Sequence, residues 1–158
     1  MPEIAAIQFT QDQARTLTGV SAETLRHWRK TIPYLSAKSG KVARFSFADL
    51  MGLAATHELV GSFGVHVAML RTGVDALFRL LATSRPASLD GAIVLVTATD
   101  AVIYEPESDR GFQVLGEIAL MVPLTPLITK MQRHVLPIAP VSAQATLPFP
   151  PEVVKNRA

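Results

Sequence analysis

The N-terminal third of this 158-residue chain carries seven basic side chains between positions 15 and 44, against one acidic residue, Glu23. Such an excess favours contact with phosphate, because ammonium and guanidinium groups neutralise phosphate charge. The net charge of the whole chain is only +2, so the basic character is local. The seven residues are Arg15, Arg26, Arg29, Lys30, Lys38, Lys41 and Arg44.

The sequence contains few of the residue patterns that catalytic or metal-binding sites need. The chain has no cysteine, which excludes disulfides, thiolate metal sites and thiol nucleophiles. Its four histidines lack the spacing of metal ligands, and the acidic residues near Glu105 lie in a stretch typical of a solvated loop. No serine has the flanking pattern of a nucleophile, and no glycine-rich phosphate loop is present. We therefore expect neither enzyme activity nor a cofactor.

Composition and hydropathy indicate the class of protein. An apolar fraction of 49% with both charge signs present is typical of a globular chain. No signal peptide is visible, and no apolar run approaches the ~18 residues that a membrane-spanning helix needs. We expect a cytoplasmic protein without membrane contact.

Two short helices joined by a tight turn are predicted for the first part of the basic stretch. A Thr-x-x-Gln capping-box pattern at Thr10 predicts a helix from about residue 11, and Gly19 favours its end. Ser21 is a good N-cap for a second helix over residues 22–30. In that helix Leu25 and Trp28 are expected to point inward, which leaves the charged side chains on the outside.

A basic hairpin is predicted after the second helix. Tyr34-Leu35 and Arg44-Phe45 are expected to pair as short strands around a loop that carries Lys38 and Lys41. A hairpin in this position beside two helices is called a wing.

Two further helices are expected to complete an N-terminal domain. Ser46 with Asp49 resembles another N-cap pattern, which predicts a third helix over residues 47–60. Apolar residues at helical spacing predict a fourth helix over residues 65–82, after the glycines of 61–64 interrupt the third.

The second half of the chain is predicted to form a small sheet with one helix, which makes the fold class α+β. Strands are expected at 93–99, at 102–105 and within 112–122, and a helix over 125–136. Such a unit buries little apolar surface alone, so we expect it to form a homodimer; packing on the third and fourth helices in a monomer is the alternative. The predicted divisions are an N-terminal domain (1–82), a linker (83–91), an association domain (92–136) and an irregular Pro-rich tail (137–158).

The order of these motifs resembles the MerR-like winged helix-turn-helix regulators, over residues 9–82. The resemblance rests on Leu-Thr-Gly-Val-Ser at 17–21, Thr-Leu-Arg-His-Trp at 24–28 and Arg-Phe-Ser at 44–46. Arg15 stands where the family usually has a small residue. The family's long C-terminal helix and metal-binding cysteines are absent, so the resemblance implies DNA binding, but neither metal sensing nor coiled-coil dimerisation.

Resemblance and charge together predict a sequence-specific transcriptional regulator that binds double-stranded DNA in the cytoplasm and nucleoid. The second helix is expected to enter the major groove, with some side chains at base edges and others on phosphates. RNA polymerase is a further partner that the sequence leaves open. The side chains expected at the DNA are Ser21, Glu23, Thr24, Arg26, His27, Arg29, Lys30, Lys38, Lys41 and Arg44.

Two other functions are compatible with the sequence. An excisionase-like or packaging protein would bind DNA for an architectural purpose, although such proteins are usually short and lack a second folded domain. A protein–protein adaptor would use the winged helix, the C-terminal half or the Leu-Pro-Phe-Pro-Pro stretch at 147–151 as contact surfaces. Salt-dependent binding to random DNA separates a DNA-binding protein from an adaptor.

Overall fold

The computed structural model describes residues 7–40, 42–106 and 117–135. It is a mixed α+β protein in which helices predominate, so the predicted fold class is confirmed. The predicted tail at 137–158 lies outside the described residues. The helices are α1 (Gln11–Thr18), α2 (Ala22–Thr31), α3 (Pro33–Ser36), α4 (Phe47–Phe63), α5 (Arg71–Thr83) and α6 (Thr125–Val135), and the strands are β1 (Gln8–Phe9), β2 (Phe45–Ser46), β3 (Ile93–Val96), β4 (Ala101–Tyr104) and β5 (Leu120–Pro123).

Local capping interactions define the first two helices, as the sequence predicts. The Thr10 N–H donates to Gln13 Oε1 at 2.9 Å, and the Gln13 N–H donates to Thr10 Oγ1 at 3.2 Å, which completes a capping box. Gly19 ends α1 in the left-handed conformation with φ 80°. Ser21 Oγ accepts the N–H of Thr24 at 3.1 Å, which caps α2.

The predicted hairpin is wrong, because its expected first strand is helical. Pro33 begins α3, which contains Tyr34 and Leu35; proline is favoured in the first turn of a helix, where its missing N–H costs nothing. Strand β2 pairs instead with β1 in antiparallel register, with Phe45 opposite Phe9. The stretch between α3 and β2 is therefore a connecting segment and not a loop between paired strands.

Helices α4 and α5 pack closely against each other. A Cβ at Gly52 of α4 would overlap the buried ring of Phe78 in α5, so the two helices can approach this closely only because position 52 has no side chain. α4 continues beyond its predicted end to Phe63, since one glycine weakens a helix without ending it. The predicted fourth helix is divided into a 3₁₀ turn at Val67–Leu70 and α5.

The second half forms a three-stranded antiparallel sheet in the order β4-β3-β5, which packs on the helices. At the first turn of α5 the Gly73 N–H donates to the carbonyl oxygen of Ala98 at 3.1 Å. A Cβ at position 73 would overlap the carbonyl oxygen of Thr97. The stretch expected to be a linker contains a 3₁₀ turn at Pro86–Ser88 and the buried Leu89. Buried side chains of both halves belong to one hydrophobic core.

Candidate nucleic-acid interface

Four polar and charged side chains share one solvent-facing surface of α2. Their spacing of three and four residues places them on adjacent turns of the same helix face. The opposite face carries Leu25 and Trp28, which are buried in the core as predicted. Within the described ranges none of the four forms an ion pair, so their charged and polar groups remain open to a ligand. They are Glu23, Arg26, His27 and Lys30, and all four are exposed.

Ser21 and Thr24, two of the ten predicted contact residues, are occupied in capping α2. Besides accepting the Thr24 N–H, Ser21 donates its hydroxyl to Thr24 Oγ1 at 2.9 Å. Ser21 is exposed, whereas Thr24 is half-buried. Their arrangement fixes the orientation of the first turn of α2, which contains Glu23 and precedes the other three exposed side chains.

Arg29 connects α2 with α1 and β2. Its Nη2 donates to Gln11 Oε1 at 2.8 Å, and its guanidinium carbon lies 5.8 Å from the centre of the Phe45 ring. Partial burial lowers the pKa of the Arg29 side chain from its ordinary value. The side chain predicted to contact phosphate thus lies across three elements, where it holds their relative orientation.

Lys38 neutralises a buried carboxylate. Its Nζ lies 2.8 Å from Oδ2 of Asp49, a residue that is only 1% exposed. The same carboxylate accepts hydrogen bonds from the Tyr34 hydroxyl at 2.7 Å and from the Ser46 N–H at 2.8 Å. Burial, together with the Asp49 carboxylate, raises the pKa of the Tyr34 hydroxyl, which therefore stays a hydrogen-bond donor.

The connecting segment (residues 37–44) carries the remaining predicted contacts. Arg44 is exposed, and its Nη1 donates to the neighbouring carbonyl oxygen of Ala43 at 3.2 Å. The Lys38 ammonium donates to the Arg44 carbonyl oxygen at 3.3 Å, which ties the two ends of this segment together. Arg44 immediately precedes Phe45, whose ring lies under the Arg29 guanidinium. Lys41 lies outside the described residues.

A second carboxylate, which sequence reasoning missed, fastens α3 to α5. Asp75 Oδ1 accepts the N–H of Tyr34 at 2.7 Å, and its Oδ2 lies 2.9 Å from Arg79 Nε. The Tyr34 ring stacks on Phe78 with 5.2 Å between ring centres. The capping pattern at Ser46 pointed to Asp49, whereas no local pattern in the sequence indicates a role for Asp75.

The interface can therefore supply cationic and hydrogen-bonding groups to an anionic partner. In the part of the chain that the structure describes, no three His, Asp or Glu side chains are arranged to hold a metal ion. None of the described helices is both long and apolar enough to cross a membrane. Comparison with known proteins adds no relative, since no family model, no curated protein and no solved structure matches this chain.

Proposed function

We propose that this protein is a sequence-specific transcriptional regulator of the winged helix-turn-helix type that inserts α2 into the major groove of double-stranded DNA. The observation that carries the proposal is the exposed face of α2, with Arg26, His27 and Lys30 unpaired among the described residues. The opposite face of the helix is anchored in the core by Leu25 and Trp28. A helix about 10–12 Å across fits a groove about 12 Å wide.

Side chains on this face have the chemistry needed to distinguish bases. Arg26 can donate to the O6 and N7 atoms of guanine, and Glu23 can accept from a cytosine amino group. His27, one turn after Glu23 on the same exposed surface, can donate to guanine. Lys30 near the end of the helix and the exposed Arg44 are suited to phosphate oxygens, and such contacts set the register of the protein on the duplex.

The two basic side chains with partners inside the protein, Arg29 and Lys38, support the same function indirectly. Arg29 holds α2 against α1 and β2, and Lys38 holds the connecting segment against α4. A surface that is already ordered loses less conformational entropy on binding. The connecting segment takes the place of the expected hairpin wing, with Arg44 and Lys41 as its contacts to the flanking backbone.

Salt-dependent binding to duplex DNA tests the proposal. Anisotropy with a labelled random-sequence duplex is expected to show binding at about 50 mM salt, with a logarithmic salt slope of about 0.9 for each phosphate contacted. Arg26→Glu with Lys30→Glu is expected to weaken binding at least ~100-fold, because it places two repulsive charges in the groove. Selection from random sequences should recover one preferred short site. His27→Ala is expected to alter that site more than the general affinity.

A matched control separates local contact from net charge. Arg85→Glu with Arg133→Glu changes the net charge equally at two exposed positions outside α2 and outside the elements that pack most closely on it, α3 and the 3₁₀ turn at Val67–Leu70. At about 150 mM salt the screening length is about 8 Å, so this pair should change the affinity by less than ~3-fold. Equal losses in both double variants would argue against a specific role for α2. Binding without a preferred site would favour the architectural role, and no retention on DNA would favour the adaptor.

A further inference from the structure

A solvent-open groove lies where the end of α4 meets β5 and the beginning of α6. Its volume is about 370 Å³, and apolar side chains form most of its walls. Phe63 on one wall is 56% exposed, and Met121 on another is 50% exposed. The remaining lining residues are Glu58, Ser62, Val122, Pro123, Pro126, Leu127 and Lys130.

Two opposite charges in this groove lack ion-pair partners in the described part of the chain. Glu58 Oε2 accepts a hydrogen bond from the Ser62 hydroxyl at 3.3 Å, and neither its carboxylate nor the Lys130 ammonium forms an ion pair there. Glu58 lies on α4 and Lys130 lies on α6, on different elements of the lining.

One acid and one base on a single apolar surface make that surface complementary to itself. In a two-fold dimer each contact occurs twice, so Glu58 can meet Lys130 of the partner subunit while Lys130 meets Glu58 of the partner subunit. The exposed Phe63 and Met121 can then be buried between the copies, and burying such side chains supplies most of the free energy of association at an interface core.

We propose that this groove is the surface through which two copies of the chain associate. It combines residues of β5 and α6 with the last turns of α4, so both halves of the chain contribute to it. A small-molecule ligand fits less well, because such sites enclose most of the ligand surface, whereas this groove is open to solvent. The association does not depend on DNA binding, and it would give the assembly two copies of α2.

Sedimentation velocity on the full-length chain tests this proposal. At about 50 µM the unmodified protein is expected to be mainly a dimer, which corresponds to a dissociation constant in the low micromolar range or below. Met121→Glu is expected to weaken association at least ~10-fold. Its matched control is Met69→Glu, which introduces the same charge at a methionine that is 70% exposed and outside the groove. The control should remain a dimer.

A charge exchange makes the test specific to this pairing. Glu58→Lys and Lys130→Glu should each weaken the dimer, and the double exchange, which restores opposite charges, should recover it. Circular dichroism checks that each variant is folded, and the double exchange provides a readout that misfolding could not imitate. The chain has no cysteine, so Ser62→Cys introduces a single thiol whose cross-linking locates the contact.

Three results would overturn the proposal. A protein that stays monomeric at about 200 µM would show that the groove takes another occupant, such as a different protein or the chain's own residues 137–158. If Met121→Glu and both charge reversals left the dimer affinity unchanged, the two copies would associate through another surface. A dimer weakened by Glu58→Lys but not recovered by the double exchange would exclude the reciprocal ion pair.

Discussion

Basic side chains in the N-terminal third occupy two kinds of surroundings. Arg26 and Lys30 face solvent, whereas Arg29 and Lys38 face internal partners. Sequence periodicity could identify the exposed face of α2, because Leu25 and its apolar neighbours fix which side is buried. Periodicity could not predict that Arg29 and Lys38 bind partners inside the protein, since those partners lie on other elements of the fold. Charge counting therefore predicted a basic surface in this part of the chain, but not the division of roles between exposed and internally paired side chains.

Replacing Lys38 and Lys30 separately should reveal that division. Lys38→Ala is expected to lower the free energy of unfolding by about 1–3 kcal/mol, because the buried Asp49 loses its counter-ion; the 28% exposure of Lys38 lets water offset part of the loss. Lys30→Ala should change stability by less than ~0.5 kcal/mol and should weaken DNA binding. Urea denaturation followed by Trp28 fluorescence measures the first effect. Equal destabilisation by both variants would contradict the assignment.

Among the helices and strands, elements with local end signals could be predicted and elements with distant partners could not. The capping residues at Thr10, Ser21 and Ser46 gave the beginnings of three helices correctly, since each signal lies within a few residues of the helix it starts. The hairpin was predicted wrongly because Phe45 pairs with Phe9, which is distant in the sequence. No local sequence pattern indicates this pairing.

The close packing of α5 on the sheet is a second feature that only the three-dimensional structure reveals. Gly73→Ala is expected to destabilise the fold by about 1–3 kcal/mol or more, because the obstacle to its Cβ is the backbone of Thr97. Gly61→Ala is the control, since nothing lies within 4 Å of its Cβ position in α4. That change should stabilise the protein by about 0.5–1 kcal/mol through helix propensity. Thermal unfolding of both variants provides the comparison, and destabilisation by both would refute the packing argument.

In the molecule as a whole, the two halves of the chain share their buried surface. The sheet packs on α5, and Leu89 from the expected linker joins the same core. The polar composition of the stretch at 83–91 predicted a domain boundary there. Composition describes how residues interact with water, and it does not show which side chain, here Leu89, is buried. The groove proposed for association likewise combines α4 with β5 and α6, which a division by sequence would separate.

A shared core predicts one cooperative unfolding transition. Trp28 fluorescence reports on the helical part, and hydrogen exchange of the Val94 and Val96 amides reports on the central strand. Both are expected to give the same urea midpoint and the same free energy, within error, because neither part can lose its packing alone. The measurement requires the full-length chain. Exchange of the sheet amides at a clearly lower free energy would show that the halves unfold separately.

Gly52 and Gly73 also limit how far the sequence can diverge while the fold is kept. Each lies inside a helix, where alanine would ordinarily be preferred. A side chain at position 52 would overlap the Phe78 ring, and one at position 73 would overlap the Thr97 carbonyl oxygen. Exposed residues of α2 can change without disturbing the packing, but these two positions cannot accept a side chain without movement of a helix or of the sheet. Two glycines inside adjacent helices, followed by an aromatic residue at position 78, are therefore the pattern by which a distant relative could still be identified.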